Sequence, residues 1–287
     1  MIDFRYHIVS IVAIFLALGL GVVAGTTVLD RVTVDALKSS VDGLRERLNE
    51  HRQEISDLRS ELDTADGLVR GLAPRVTEGL LTGIQTVYVS GEAEAGWHNR
   101  VRDAIADAGA ENAGSIELTA RWLLDDQKDR DDLIRAFGDQ PLSERDPAAD
   151  AAARLGGLLT DGASIPFTQL IEAGFIRTAP AEDVTPFPPR GAHVVVLASK
   201  DEVPLAAVAR GAARITPTLA VSGSVEELGP LTTLRRIESP PARMATFDSA
   251  ADDPSGLGIV LALRAAADGT GGHFGRAQGA RYLPAPP

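Results

Sequence analysis

The chain has no cysteine. That excludes a disulfide framework, a thiolate metal site, an iron–sulfur cluster and a cysteine nucleophile. It is compatible with an oxidising exterior without requiring one. Lysine occurs only at Lys38, Lys128 and Lys200, so nearly all positive charge is arginine. With the high Ala, Gly and Asp content, this reads as the coding bias of a GC-rich genome. Basic residues are also too few: 28 Lys and Arg stand against 40 Asp and Glu, a net charge of −12. A nucleic-acid binder would carry a basic stripe, and none is present. The acidity is spread along the chain and reads as solvated surface. Catalytic signatures are missing as well. There is no GxSxG elbow, no HExxH and no phosphate-binding GxxxxGK[ST], so no enzyme is expected. The five histidines, His7, His51, His98, His193 and His273, sit far apart, with no two at metal-ligand spacing. His193 opens an apolar run and reads as a satisfied core residue; His98 reads as lying on a helix surface.

What is present is concentrated at the start. Residues 8–29 read IVSIVAIFLALGLGVVAGTTVL without a charge. An uncharged span of ~20 residues is long enough to cross a bilayer as one helix. Val22-Val23-Ala24 could serve as a signal-peptidase site, but the apolar run is longer than a usual signal core and the helix pattern continues past it, so an uncleaved anchor is expected. Charge gives little on orientation: Arg5 precedes the span, while Arg31, Lys38, Arg45 and Arg47 follow it and lean toward a cytoplasmic C-terminal side. Gly21 and Gly25 form a GxxxG that permits close helix approach.

From Val34 the apolar residues recur at alternating steps of three and four. Val34, Val41, Leu48, Ile55, Leu62 and Val69 fall at a; Leu37, Leu44, His51, Leu58, Ala65 and Leu72 fall at d. β-Branched residues at a with Leu at d favour a parallel two-stranded coiled coil. Residues 34–72 would rise ~58 Å as a helix. At the flanking positions Glu54 meets Arg59 of a partner favourably, whereas Arg47 meets Arg52 and Glu61 meets Asp66 unfavourably. The coil can therefore be a homodimer or a hetero-oligomer with another coiled-coil protein. Gly67 and Gly71 predict fraying, and Pro74 ends the helix. His51 has three readings: a polar residue that fixes register, a pH-sensitive pair, or a metal clip between two chains. As a clip, two imidazoles alone make an incomplete site.

About 210 of the 287 residues lie beyond this stalk, enough for a sizeable core. Strands are expected at 84–89, 115–118, 192–198 and 219–221. Helices are expected at 97–108, 148–159, 168–175, 205–213 and 257–267, with a turn or short helix at 224–228. This βαβ rhythm predicts an α/β head with helices on a small parallel sheet. Residues 123–162 read as acidic and helical with a break at Pro141. Asp125, Asp126, Asp129, Asp131 and Asp132 read as a solvated face, although a hard cation could sit there. The Pro-rich 178–190 reads as an extended connector. Glu92 and Glu94 are the one carboxylate pair that an enzyme could use. The glycines of Ser90-Gly-Glu-Ala-Glu-Ala-Gly96 are wrongly spaced for a nucleotide site. The organisation is thus a short tail (1–7), an anchor (8–29), a coiled coil (34–72), a head (82–275) and a disordered tail (276–287).

The opening MIDFRYHIVSIVAIFLALGLGVVAG resembles the start of the actinobacterial MctB family, the mycobacterial copper transport protein B family. The order of parts matches too. So does the close of the head, where GLGIVLALRAAADGTGG runs into Gly272, His273, Phe274 and Gly275, similar to the family's Gly-His-aromatic-Gly. The resemblance implies a single-pass cell-membrane protein with an extracytoplasmic head and a role in copper transport across the envelope. No cofactor is expected from the residues, and copper is possible by this resemblance only. Related proteins named SteB suggest an alternative, a scaffold that pairs with an envelope partner and controls cell-wall hydrolysis at division. Copper(I) sites want soft sulfur ligands, and only Met1 and Met244 could supply them. A scaffold therefore fits these residues better than a metal-liganding transporter.

Overall fold

The computed structural model describes residues 4–92, 95–162, 164–199, 204–224, 229–237, 241–281 and 283–284. The chain divides into two units, residues 1–65 and 66–287. One helix, α1 (Phe4–Thr77), runs through the first unit and ends in the second. Its stretch Arg5–Gly25 is long and apolar enough to cross a membrane, and none of it is buried within the chain.

The expected stop at Pro74 is corrected. The helix passes through Pro74 and ends at Thr77. Proline removes one backbone donor and crowds the preceding turn. Burial offsets that cost: Ala73 and Thr77 are buried, and the Thr77 hydroxyl donates to the Ala73 carbonyl at 2.9 Å. Gly67 and Gly71 stay helical.

The second unit is a three-layer α/β head. Its strands are β1 (Gln85–Gly91), β2 (Glu111–Leu118), β3 (Ile176–Pro180), β4 (His193–Leu197), β5 (Thr218–Val221), β6 (Met244–Phe247) and β7 (Gly272–Phe274). They form one sheet in the order β3-β2-β1-β4-β5-β6-β7. Only β3 runs antiparallel to its neighbour. The four expected strands are β1, β2, β4 and β5; β3, β6 and β7 were not anticipated. β3 takes the first residues of the expected connector as an edge strand, where the missing N–H of Pro180 is tolerated. β6 and β7 are too short to show a period.

Helices cover both faces. The first face carries α2 (Trp97–Asp107) and α8 (Leu257–Ala267), packed on Tyr88, Val195, Leu197 and Phe247. The other carries α3 (Gln127–Ala136), α4 (Pro147–Leu158), α5 (Ile165–Glu172), α6 (Leu205–Ala212) and α7 (Gly229–Arg235), over Val87, Val89, Val194 and Val196. A strand covered on both sides needs apolar residues at every position, which explains the unbroken Val194-Val-Val-Leu197. Helix α5 starts earlier than expected, with Pro166 in its first turn, where a missing donor costs nothing. Of the expected turn at 224–228, residues 225–228 lie outside the described residues.

Three side-chain expectations are also corrected. His98 is 2% exposed, edge-on to Trp97 with ring centroids 4.3 Å apart. His193 is only half-buried, and its Nδ1 is enclosed with no hydrogen-bond partner. Of the five aspartates read as solvated, Asp129 and Asp132 are largely buried and grip Arg121, the latter at 2.7 Å. That hydrogen bond holds the Asp132 carboxyl below its ordinary range. Asp126 accepts the Asp129 N–H at 2.7 Å and caps α3.

Helices α4 and α6 meet at Gly156 and Gly211. A Cβ on Gly211 would collide with the backbone of Ala153, and one on Gly156 with the backbone of Val208. Gly211→Ala is therefore expected to lower head stability by about 1–3 kcal/mol, read as a drop in the denaturant midpoint. An unchanged midpoint would show that the two helices can separate at no cost.

Candidate functional site

Two places carry the residues singled out by sequence, and they are different in kind. The first is the stalk. Leu37, Val41, Leu44, Leu48, Ile55, Leu58, Leu62, Val69 and Leu72 are each between 37% and 66% exposed. Ala65 is also exposed. Val34 falls where side chains lie outside the described residues. An apolar stripe recurring every 3.5 residues and open to water is the surface that coiled-coil pairing buries. Within it stands His51, whose Nδ1 lies 3.4 Å from Oε2 of Glu54, one turn onward. Both side chains are open, at 72% and 67%.

The second place is the closing Gly272-His273-Phe274-Gly275. It forms β7 and the turn after it. His273 points to protein, not solvent: its Nδ1 is 3.0 Å from the Thr246 hydroxyl and its Nε2 is 3.4 Å from the Ile237 carbonyl. Burial pushes its pKa down, the Arg235 charge adds to this, and the Ile237 carbonyl opposes it. Burial alone pushes His193 down as well.

Behind the motif lies Asp248, a fully buried carboxylate that the sequence reading did not single out. It accepts from the Ser249 hydroxyl at 2.7 Å, from the Arg276 N–H at 2.6 Å and from the Ala277 N–H at 3.2 Å. Arg235 of α7 completes the set, donating both to Asp248 and, at 2.8 Å, to the Phe274 carbonyl. The backbone at Gly275 has φ +117° and passes so close to Asp248 that a Cβ would overlap the carboxylate. Glycine is required there for both reasons. Residues 276–281, expected as part of a disordered tail, are instead tied in: Arg281 donates to the His273 carbonyl at 2.8 Å. The motif therefore fastens the last strand to the sheet. A lone Asp between β6 and a 3₁₀ turn carries no signal in sequence that could have revealed this.

Other candidates are occupied. Glu92 pairs with Arg177 at 3.2 Å, and Glu94 lies outside the described residues. A cavity of about 170 Å³ near the start of α8 is lined by Phe247, Asp252, Asp253, Leu257 and Arg276, among others. Two of its acids are engaged: Asp253 accepts the Gly258 N–H at 3.0 Å, and Asp252 pairs with Arg276 at 3.6 Å. Ligand pockets usually exceed about 300 Å³. Among the described residues, no three His, Asp or Glu side chains of one chain could hold a metal ion.

Comparison with known proteins bears on what this arrangement serves. The family model described as "Copper transport outer membrane protein, MctB" matches residues 1–284. Proteins described as "Copper transporter MctB" from Mycobacterium bovis and Mycobacterium tuberculosis are each 26% identical over 311 residues, covering 98% of both chains. These descriptions concern copper transport, and the division-site alternative gains no support from them.

Two outcomes follow from the site's geometry. Asp248→Ala leaves Arg235 buried without its counter-charge, so a loss of about 3–5 kcal/mol is expected. Cleavage by trypsin at Arg276 and Arg281 should speed up in parallel; equal cleavage in both proteins would show that Asp248 does not hold the segment. The second concerns pH. Both His193 and His273 titrate below the ordinary histidine value in the folded head, so the unfolded chain takes up protons first. Stability is then full above about pH 6.5 and falls as pH drops toward the lowered folded values. Melting of His273→Asn should lose part of that acid slope, and an identical slope would count against a neutral His273.

Proposed function

The chain belongs to the MctB family, and we propose that within it the protein is a membrane-anchored envelope component that serves copper transport as a scaffold rather than as a pore by itself. Arg5–Gly25 is the anchor, α1 beyond it is a stalk, and the α/β head is carried at the stalk's far end on the extracytoplasmic side. The head's orientation follows the family resemblance, which outweighs the short run of charges beside the span.

The observation that carries this reading is the exposed apolar seam on α1. Burying it by parallel pairing of two copies removes roughly 0.8 kcal/mol of unfavourable hydration per CH₂ group. Anchoring at the same end brings the copies together parallel and near register. A single apolar helix encloses no channel, so passage of copper needs an assembly, and the paired stalk supplies one. The head adds a folded surface.

The absence of native cysteine makes the test direct. Leu44→Cys, at a d position, is expected to give a disulfide-linked dimer when the full chain is oxidised in membranes. Glu46→Cys, on the outer side of the same turn, is expected to stay monomeric. Equal linking of the two, or none in either, would overturn parallel pairing along this seam.

A further inference from the structure

Buried polar atoms that pair with nothing are rare in a folded protein and ask for an explanation. Such atoms gather at the carboxyl ends of β5 and β6. Ser222, the residue after β5, is fully buried, and its hydroxyl has no hydrogen-bond partner. Arg235 spends only Nη2, on Asp248 and on the Phe274 carbonyl. Its Nε and Nη1 are enclosed and unpartnered, so most of the guanidinium's N–H donors are unused.

Strand register brings these groups together. Pairing continues one residue past each strand end: the Ser222 N–H donates to the Phe247 carbonyl at 2.9 Å, and the Asp248 N–H to the Phe274 carbonyl at 3.2 Å. Ser222 and Asp248 are thus lateral neighbours, about 5 Å apart at Cα. Side chains alternate between the faces of a strand. Val221 and Phe247 pack with α2 and α8, so Ser222 and Asp248 point to the opposite face, the one α7 covers. Arg235 reaches Asp248 from α7, which puts the free hydroxyl and the free guanidinium donors on either side of one carboxylate. Helix α6 also starts at this edge, after β4, and no side chain caps its N-terminus. Its positive end favours an anion there.

We propose that Ser222 and Arg235 form a binding site for the carboxylate group of a small organic acid. A carboxylate matches the donor set, because a guanidinium binds it through parallel N–H bonds and the serine hydroxyl donates one more. Asp248 does not compete for those donors, since it accepts from Ser249, Arg276 and Ala277 as well as from Nη2. It does limit the charge: a phosphate dianion would stand beside a buried anion and be repelled. The place is also one that open α/β sheets use for ligands, outside the carboxyl ends of parallel strands. The Arg235 side chain keeps 11% of its surface in water, so solvent reaches it. The site lies within one head and is independent of how the stalks pair.

The test uses the full chain in detergent micelles, with sodium acetate as the probe. Melting is followed by the fluorescence of Trp97 and Trp122, both buried in the head. Acetate is compared with sodium chloride and sodium phosphate at equal ionic strength. A bound ligand stabilises the folded head, so acetate is expected to raise the midpoint above that in either other salt. Ser222→Ala should weaken acetate about tenfold. Without acetate this variant should melt no lower than the native chain, because the hydroxyl it removes has no partner. Arg235→Lys keeps a charge beside Asp248 without the free donors and should lose the acetate increment. Acetate acting as chloride does, as it would if these donors hold only water, overturns the site. So does an increment that both variants retain, or a Ser222→Ala chain that melts lower without ligand. Phosphate raising the midpoint more than acetate overturns the carboxylate assignment.

Discussion

A helix satisfies its own backbone hydrogen bonds, and that constraint makes the rest of this molecule possible. Only such an element can pass through lipid, water and a protein core without exposing an unpaired polar group. Helix α1 keeps its backbone paired in this way over 74 residues, and what changes along it is the side chains. They are apolar all round at first, then apolar on one seam, then buried where Ala73 and Thr77 meet the head. Even Pro74 is accommodated in the last of these stretches, because burial supplies what its missing donor removes.

The head answers a different constraint. Its sheet is covered on both sides, so each central strand must be apolar throughout and its edges must be closed by other means. One edge is β3, ending in a proline. The other is β7, held by a buried carboxylate whose partners come from α7, from the turn after β6 and from the backbone beyond Gly275. A charge in that position is stable only because all of its acceptor capacity is used. The Gly-His-Phe-Gly motif is thus a structural fastening, and its half-buried histidine contacts Thr246 and the Ile237 carbonyl. The stalk, by contrast, carries an exposed apolar stripe at heptad spacing.

The sequence was legible wherever a period ran long enough to be counted. The charge-free span, the heptads and the run at Val194–Leu197 each repeat one physical demand over many residues, and the structure carries α1 and β4 at those places. Legibility failed where an element was short or where its neighbours decided. β6 and β7 have four and three residues, less than needed to separate a strand from a loop. His98 looked like surface because its own helix is polar around it, yet α2 turns that position inward beside Trp97. Asp129 and Asp132 looked solvated within a run of acids until Arg121 arrived from the preceding turn.

What the sequence determined by itself is therefore the linear plan: an apolar helix, an apolar seam at heptad spacing, and an α/β head whose central strands are buried on both faces. These are properties of local hydrogen bonding and of side-chain period, and they need no knowledge of distant residues. Only the tertiary structure decided the order of the strands, the fate of the closing motif and the company kept by each charge. Those depend on contacts between residues such as Arg235 and Phe274, 39 positions apart, which no local pattern encodes. The neighbours of His51 lie between the two cases: spacing put Glu54 one turn away, and the folded helix brought their atoms to 3.4 Å.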